Sequence, residues 1–338
     1  MVTLVDIARA AGTEGSVADA VRAGLDRVVE RFEGQLNSRI APVADLCAHV
    51  STYRGKMLRP ALVMVAGLAA SARRGRPMQP ITDELVTIGA VLEMVHVATL
   101  VHDDVLDHSD TRRGGATVNR LVGNESAVML GDYLIARSFH LCSQLDDQSI
   151  ALRVGQVTSQ VCEGEVLQLS RRGDLDLSLD TYWTIIELKT AALIAGAAQL
   201  GAQAVNADPM VAGKMHDFGI ALGKAFQVQD DLLDLTGDQA AVGKPVANDV
   251  GHGELTLPLI HHLSMLSPVD RERAEAVIQS GDRSKIVAML NTTDSIGHAK
   301  REAERLVDEA IACLDVLEDS PAKAYLRALA GAVVNRDH

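Results

Sequence analysis

The sequence predicts an all-α protein, on three observations. Apolar residues make up 47% of the 338-residue chain, yet only nine residues are aromatic (four Phe, one Trp, four Tyr). Most of the apolar content is Ala, Leu and Val, a composition that favours helices over aromatic and β-branched strands. Apolar positions also recur every three or four residues along segments of helix length, with no strand-type alternation. No repeat of fixed period and no low-complexity linker divides the chain, so one large domain spanning 1–338 fits better than two.

Taken in order, Ser16 and Asp19 open an amphipathic stretch with Val17, Val21, Leu25, Val28 and Phe32 on one face. Apolar runs at 81–106, 124–145, 150–170, 181–205 and 210–235 are each long enough for a helix. Ser295 precedes a last run whose face carries Ala299, Ala303, Leu306, Ala310, Cys313 and Leu317, with Glu304 and Asp308 on the polar side, and Pro321 interrupts it. The breakers fall between these runs. Arg73-Arg74-Gly75-Arg76-Pro77, Arg112-Arg113-Gly114-Gly115 and Arg171-Arg172-Gly173-Asp174 read as loops, and 237–258, with its glycines and prolines, is the longest loop expected.

Lys plus Arg number 32 and Asp plus Glu 45, a net charge of −13. That counts against a nucleic-acid partner. Cys47, Cys142, Cys162 and Cys313 form no CxxC pair, so neither a disulfide framework nor a zinc site is expected. Residues 190–206 approach membrane-span length, but Gln199, Gln203 and Asn206 favour a buried core helix. The first residues carry no charged leader before a long apolar run, and a cytoplasmic protein is expected.

Two segments carry the chemistry. His102-Asp103-Asp104-Val105-Leu106-Asp107 and Gln229-Asp230-Asp231-Leu232-Leu233-Asp234 each contain Asp-Asp-x-x-Asp at the C-terminal end of an apolar run. Residues i and i+4 share a helix face, so Asp103 with Asp107, and Asp230 with Asp234, can each reach one point. Three carboxylates in one turn repel one another, and a helix C-terminus already carries partial negative charge. Such a cluster is destabilising without a cation. Hard oxygen donors suit Mg²⁺, which shares its coordination with phosphate oxygens.

Cations for phosphate lie in suitable places. Lys56 and Arg59, three apart, can converge on one anion. Arg112 and Arg113 follow the first cluster. Lys189-Thr190 lies inside the 181–205 run, Lys224 and Gln227 precede the second cluster by one turn, and Lys244 lies in the longest loop. The Arg73-Arg74-Arg76 and Arg171-Arg172 loops adjoin no acidic helix end and are expected to be surface cations. His96, in Glu93-x-x-His96, is seven residues before Asp103 and so shares its face, which favours a substrate-facing role. The Glu-x-x-His spacing of di-iron bundles lacks its second copy, and no His-Glu-x-x-His zinc motif occurs.

These pieces, joined by Leu130-Gly131-Asp132-Tyr133, Glu187-x-Lys189-Thr190, Gly243-Lys244-Pro245 and Thr256-Leu257-Pro258, occur in an order and spacing that resembles the trans-isoprenyl diphosphate synthases (polyprenyl synthetases). The resemblance covers most of the chain. It implies the isoprenoid synthase fold, helices around a central cavity, in a homodimer. It implies that Asp103, Asp104, Asp107, Asp230, Asp231 and Asp234 hold Mg²⁺ on an allylic diphosphate. Arg112, Lys189, Gln227 and Lys244 would bind or ionise that substrate. Lys56, Arg59, His96 and Arg113 would hold isopentenyl diphosphate, and Thr190 and Gln227 would face the allylic cation. In such enzymes the departing diphosphate is thought to take the final proton, so no histidine base is needed. Glu254 stands where the family commonly has Lys, and is expected not to participate.

Product length follows from side-chain size. The growing tail would pass from the first cluster down the same helix, where short-product members place bulky aromatics. Here Thr99, Ala98 and Val95 are small, with Met129 and Tyr133 on the next helix as candidates to line or stop the passage. An open apolar tunnel of this kind implies a product of about thirty to fifty carbons, hexaprenyl to decaprenyl. Three alternatives stand beside this: a short-chain synthase, a class I terpene cyclase, and a regulatory subunit of a heterodimeric synthase. The intact second Asp cluster and the Lys56/Arg59 pair argue against the last two.

Overall fold

The structure is a computed structural model and describes residues 17–334 apart from 54, 56, 74 and 238–247. It is built almost wholly of helices: α1 (Val17–Gln35), α2 (Ala41–Val50), α3 (Leu58–Ser71), α4 (Asp83–Leu106), α5 (Val118–Val122), α6 (Asn124–Cys142), α7 (Gln148–Ser170), α8 (Leu179–Ile186), α9 (Ala192–Gln203) and α10 (Pro209–Thr236). Then come the short α11 (Asn248–Gly251), α12 (Leu257–Ser264), α13 (Pro268–Gln279), α14 (Arg283–Asn291), α15 (Ser295–Cys313) and α16 (Pro321–Val334).

Local chemistry sets several of the boundaries. Thr82 caps α4 by accepting from the Leu85 amide at 3.2 Å, with Asp83 and Glu84 in the first turn, where the helix dipole favours carboxylates. Asp208 caps α10 through the Met210 amide at 2.8 Å, and Pro209 fills the first helical position. Ser178 and Asp147 cap α8 and α7 in the same way.

Helices α3, α4 and α9 form the centre. Every residue of α3 from Pro60 to Ala70 is buried, as is nearly all of α4 from Leu85 to Ala98. A helix apolar on all sides belongs in the interior. The two stretches long and apolar enough to cross a membrane, Asp83–Leu106 and Leu179–Gln203, are mostly buried inside the protein. The close contact of α9 with α10 rests on small residues. A Cβ on Gly223 would come within 2.5 Å of the Ala191 Cα, and one on Gly219 would collide with the Ala195 Cα.

Four features depart from the sequence reading. Thr111–Arg112 and Gly115–Ala116 pair as a two-stranded antiparallel hairpin where a plain loop was expected. Its turn residues Arg113 and Gly114 both have positive φ (51° and 79°), the geometry of a two-residue hairpin that follows strand twist. The 181–205 run is not one α-helix: Glu187–Ala191 is a π-helical turn between α8 and α9. The 237–258 loop contains the helical turn α11, and Pro321 opens α16 where an interruption alone was expected.

Candidate functional site

The first aspartate cluster ends α4. Asp107 is the residue after the last helical turn (φ −96°, ψ 2°), and its amide donates to the Asp103 carbonyl at 2.8 Å. Asp104 points inward and is 1% exposed. Its Oδ1 accepts from Nε and Nη2 of Arg112, each at 2.8 Å, while Oδ2 is buried without a hydrogen-bond partner. Asp103 is half-buried. Burial pushes its carboxyl up to about 7; Lys189 opposes the shift, and Glu165 and Asp107 add to it.

The second cluster, near the end of α10, repeats this arrangement. Its middle residue, Asp231, is 3% exposed. Asp231 accepts from Gln227 Nε2 at 2.8 Å and from the Tyr182 hydroxyl at 2.7 Å. Burial still drives its carboxyl up to about 7. Asp230 and Asp234 are half-buried, and Asp234 Oδ2 accepts from the Asp249 amide at 3.2 Å. So each Asp-Asp-x-x-Asp divides. The outer aspartates lie at the opening, whereas Asp104 and Asp231 are held from behind by Arg112 and by Gln227 with Tyr182. Of the six aspartates, Asp103, Asp107, Asp230 and Asp234 are the less buried.

Lys189 and Thr190 sit on the π turn, a geometry that often marks functional sites. Three polar contacts hold it: Lys189 Nζ to Glu165 Oε2 at 2.7 Å, Glu187 Oε2 to Lys224 Nζ at 2.6 Å, and Thr190 Oγ1 donating to Gln227 Oε1 at 2.8 Å. Burial opposes the charge of Lys189, but Glu165 and Asp103 outweigh it and hold the ammonium above its ordinary value. Lys224 is therefore tied to Glu187, one turn from the cluster it was expected to serve.

A basic group gathers beside the first cluster. Arg112 and Arg113 project differently from the hairpin, Arg112 to Asp104 and Arg113 against the backbone of Gly55, where no Cβ would fit. His96 is held well below the usual imidazole range by burial and by Arg59, Arg113 and Arg112, so it is a neutral ring among cations. Among the described residues, Arg59 Nε is buried without a partner. Arg59, His96, Arg112 and Arg113 thus come together as the sequence suggests, with Glu93 buried among them as a partial counter-charge to Arg59 and Arg113. Lys56 and Lys244 lie outside the described residues.

Two expectations are corrected. Arg172 is no isolated surface cation: Nη2 lies 2.5 Å from Asp107 Oδ1 and 3.3 Å from Glu254 Oε1. Glu254 is no bystander. It lies between the two clusters, adding to the repulsion felt by Asp231 and Asp249 and feeling that of Asp107 itself. Sequence spacing missed both because the Gly173 amide joins the Gly253 carbonyl at 2.8 Å, bringing together loops 80 residues apart. Asp249, Glu165 and Tyr182 were also missed. Asp249 and Glu165 each sit one short element away from a residue already singled out, which was their only signal.

Of the chain-length candidates, Val95 and Ala98 are fully buried on α4 below Asp103, and Thr99 Oγ1 is turned back to the His96 carbonyl at 2.8 Å. Tyr133 is half-buried against the core. Met129, by contrast, is 65% exposed on the outer face of α6, so within one chain it does not line an enclosed passage.

The donor set fits a hard divalent cation. Asp103, Asp231 and Asp249 are all raised by burial, the mark of carboxylates with too little positive charge nearby. Asp107, His252 and Glu254 each offer a ligand atom within 4.8 Å of the others. Asp103, Asp107, Asp230 and Asp234 supply further carboxylate oxygens.

The comparisons agree with this arrangement. The polyprenyl synthetase family matches residues 41–292. The chain is 34% identical over 307 residues to the octaprenyl diphosphate synthase of Escherichia coli (strain K12), covering 90% of this chain and 93% of that one. The crystal structure of a decaprenyl diphosphate synthase from Rhodobacter capsulatus superposes with a TM-score of 0.86 at 33% identity, over 95% of this chain and 98% of that one. A polyprenyl synthase from Caulobacter crescentus CB15, complexed with calcium and isoprenyl diphosphate, superposes with a TM-score of 0.85 at 31% identity, over 96% and 99%. With the family matching most of the chain and the fold shared along almost its whole length, the chain belongs to the polyprenyl synthetase family and is a prenyltransferase.

Proposed function

We propose that the protein is an all-trans long-chain polyprenyl diphosphate synthase that adds isopentenyl diphosphate to an allylic diphosphate such as farnesyl diphosphate. The observation that carries this reading is the pair of half-buried aspartate clusters facing Lys189, beside a separate group formed by Arg59, His96 and Arg113. One acidic and one basic subsite suit two diphosphates. Mg²⁺, held by Asp103, Asp107, Asp230 and Asp234, would supply charge neutralisation for a diphosphate leaving group. Lys189 adds a fixed positive charge at the same place, preorganised by Glu165. Arg112 keeps Asp104 turned inward, so Asp103 and Asp107 stay at the opening. Gln227 does the same for Asp231, and its carbonyl oxygen, with the Thr190 hydroxyl, sets electron-rich oxygens beside Lys189, where an allylic cation would develop.

Long product is supported by the small residues Ala98 and Val95 below Asp103. The test supplies farnesyl diphosphate, excess isopentenyl diphosphate and Mg²⁺, and separates the dephosphorylated products. Accumulation of only fifteen- or twenty-carbon chains would overturn the long-chain reading, and no diphosphate release would overturn the synthase reading itself. A homodimer, peripheral membrane contact at most, and a cytoplasmic location belong to the same proposal. Leu121 (53% exposed), Val122 (45%), Val128 (40%) and Met129 (65%) place a run of exposed apolar side chains on consecutive elements, suited to a second copy. A monomer mass by light scattering at micromolar concentration would remove the dimer from it.

A further inference from the structure

We propose that Arg172 is a further diphosphate-binding residue of this site and that Glu254 is its positioning residue, with Asp107 as a resting partner that yields to the metal ion. The inference rests on the synthase reading and adds a cation to it. Arg172 Nη2 bridges two carboxylates, Asp107 at 2.5 Å and Glu254 at 3.3 Å. Among the described residues Nη1 reaches the Leu106 carbonyl, at 3.4 Å, and Nε is buried with no partner. A guanidinium has five N–H donors. Arg172 therefore holds unspent donors beside the Asp107 carboxylate.

The loops are tied without it. Gly173 donates to the Gly253 carbonyl at 2.8 Å, and Gly253 takes the positive φ of 74° that this close passage needs. The backbone link therefore does not depend on the Arg172 side chain. Were Asp107 to hold a divalent cation, Arg172 would give up that carboxylate and keep Glu254, which is already within reach. Its planar fork would then be available to a diphosphate, a group for which arginine is better matched than a point charge. Glu254 thus has a use that offsets the cost of a carboxylate in an acidic site.

Calorimetric titrations separate this from a structural clasp, and from the synthase reading, because they need no turnover. Mg²⁺ alone, and inorganic diphosphate at saturating Mg²⁺, are titrated into the wild type, Arg172→Gln, Arg172→Lys, Glu254→Gln and Arg171→Gln. For Arg172→Gln, Mg²⁺ alone is expected to bind a few-fold more tightly, while diphosphate binds about ten-fold more weakly, the loss of one charge-assisted hydrogen bond. Arg172→Lys keeps the charge without the fork; it is expected to restore the Mg²⁺ constant and only part of the diphosphate constant. Glu254→Gln is expected to weaken both. Arg171→Gln, one residue away with the same charge, is expected to change neither. Wild-type diphosphate affinity in both Arg172 variants, or an equal loss in Arg171→Gln, overturns the proposal. A wild type that binds diphosphate in this pattern but condenses no isopentenyl diphosphate leaves the proposal standing and overturns the synthase reading.

Discussion

Asp103 and Asp104 are adjacent in sequence and opposite in circumstance. Replacing Asp103 by Asn removes a carboxylate at the opening, and initial rates of diphosphate release at saturating Mg²⁺ are expected to fall at least about a hundredfold, the usual scale for one preorganised electrostatic group. Tyr182→Phe instead strips a fully buried carboxylate of a donor. Chemical denaturation is expected to show a loss of about 1.5–3 kcal/mol, the range for a hydrogen bond to a charged group. An unchanged midpoint would mean that Asp231 is held by Gln227 alone. The six aspartates themselves were legible from spacing. Which of them are held from behind was not, because Tyr182 stands 49 residues from Asp231 and the Arg112 bond depends on a hairpin turn with positive φ.

At the level of elements, Gly164 shows how one helix sets another. A Cβ there would stand 2.5 Å from the Lys189 amide nitrogen and 2.9 Å from the Leu188 carbonyl carbon, so α7 meets the π turn backbone to side. Gly164→Val is expected to cost about 1–3 kcal/mol by overpacking. It is also expected to lower kcat more than Asp103-independent diphosphate binding, since Lys189 is displaced. Wild-type kcat would show that the turn tolerates the shift. Helix α12 carries a second consequence. Burial lowers His262, whose Nδ1 lies 2.6 Å from Thr293 Oγ1; burial and His298, stacked at 4.0 Å, lower His261. Groups lowered in the folded state are neutral there, while the unfolded chain takes up their protons as pH falls through about 6.5. The share of stability that His261 and His262 contribute is therefore full above that pH and declines below it, while Asp103 and Asp231, raised to about 7, act in the opposite sense. The histidine share is read as a difference: between pH 7.5 and 5.5 the melting temperature of His262→Gln is expected to rise relative to that of the wild type, and a constant difference would show that His262 is not held neutral by the fold. The long helices were readable to within a few residues from periodicity and breakers, because α4 and α10 end at Asp and Gly signals. The π turn was not, since Glu187-Leu188-Lys189-Thr190-Ala191 has nothing in its composition to distinguish it from an α-helix.

For the whole molecule, the small side chains Ala98 and Val95 are fully buried in the core on α4 below Asp103. Ala98→Phe is expected to shorten the product by several isoprene units in the chain-length assay, and an unchanged product would place the passage elsewhere. The all-α class could be read from composition because an Ala- and Leu-rich chain with few aromatics has little else to build with. The joining of the 171–174 and 252–254 segments could not, because it is one backbone hydrogen bond between two loops. A net charge of −13 describes the surface as a whole and says nothing of the basic group around Arg59 and His96.

The π turn has one further consequence, for insertions and deletions. Each residue added to a helix rotates everything beyond it by about 100°. A π turn, closed by i→i+5 bonds, takes up about one residue more than an α turn, so removing one residue from 187–191 would let α8 and α9 run on as one regular helix with little change of phase. Gly201, whose missing side chain admits the Val63 carbonyl of α3, and Gly196, which admits Val157 of α7, would keep their neighbours, whereas a deletion within the regular turns of α8 would turn both away from them. The extra residue is therefore absorbed inside the turn, where it alters only how Lys189 and Thr190 are presented.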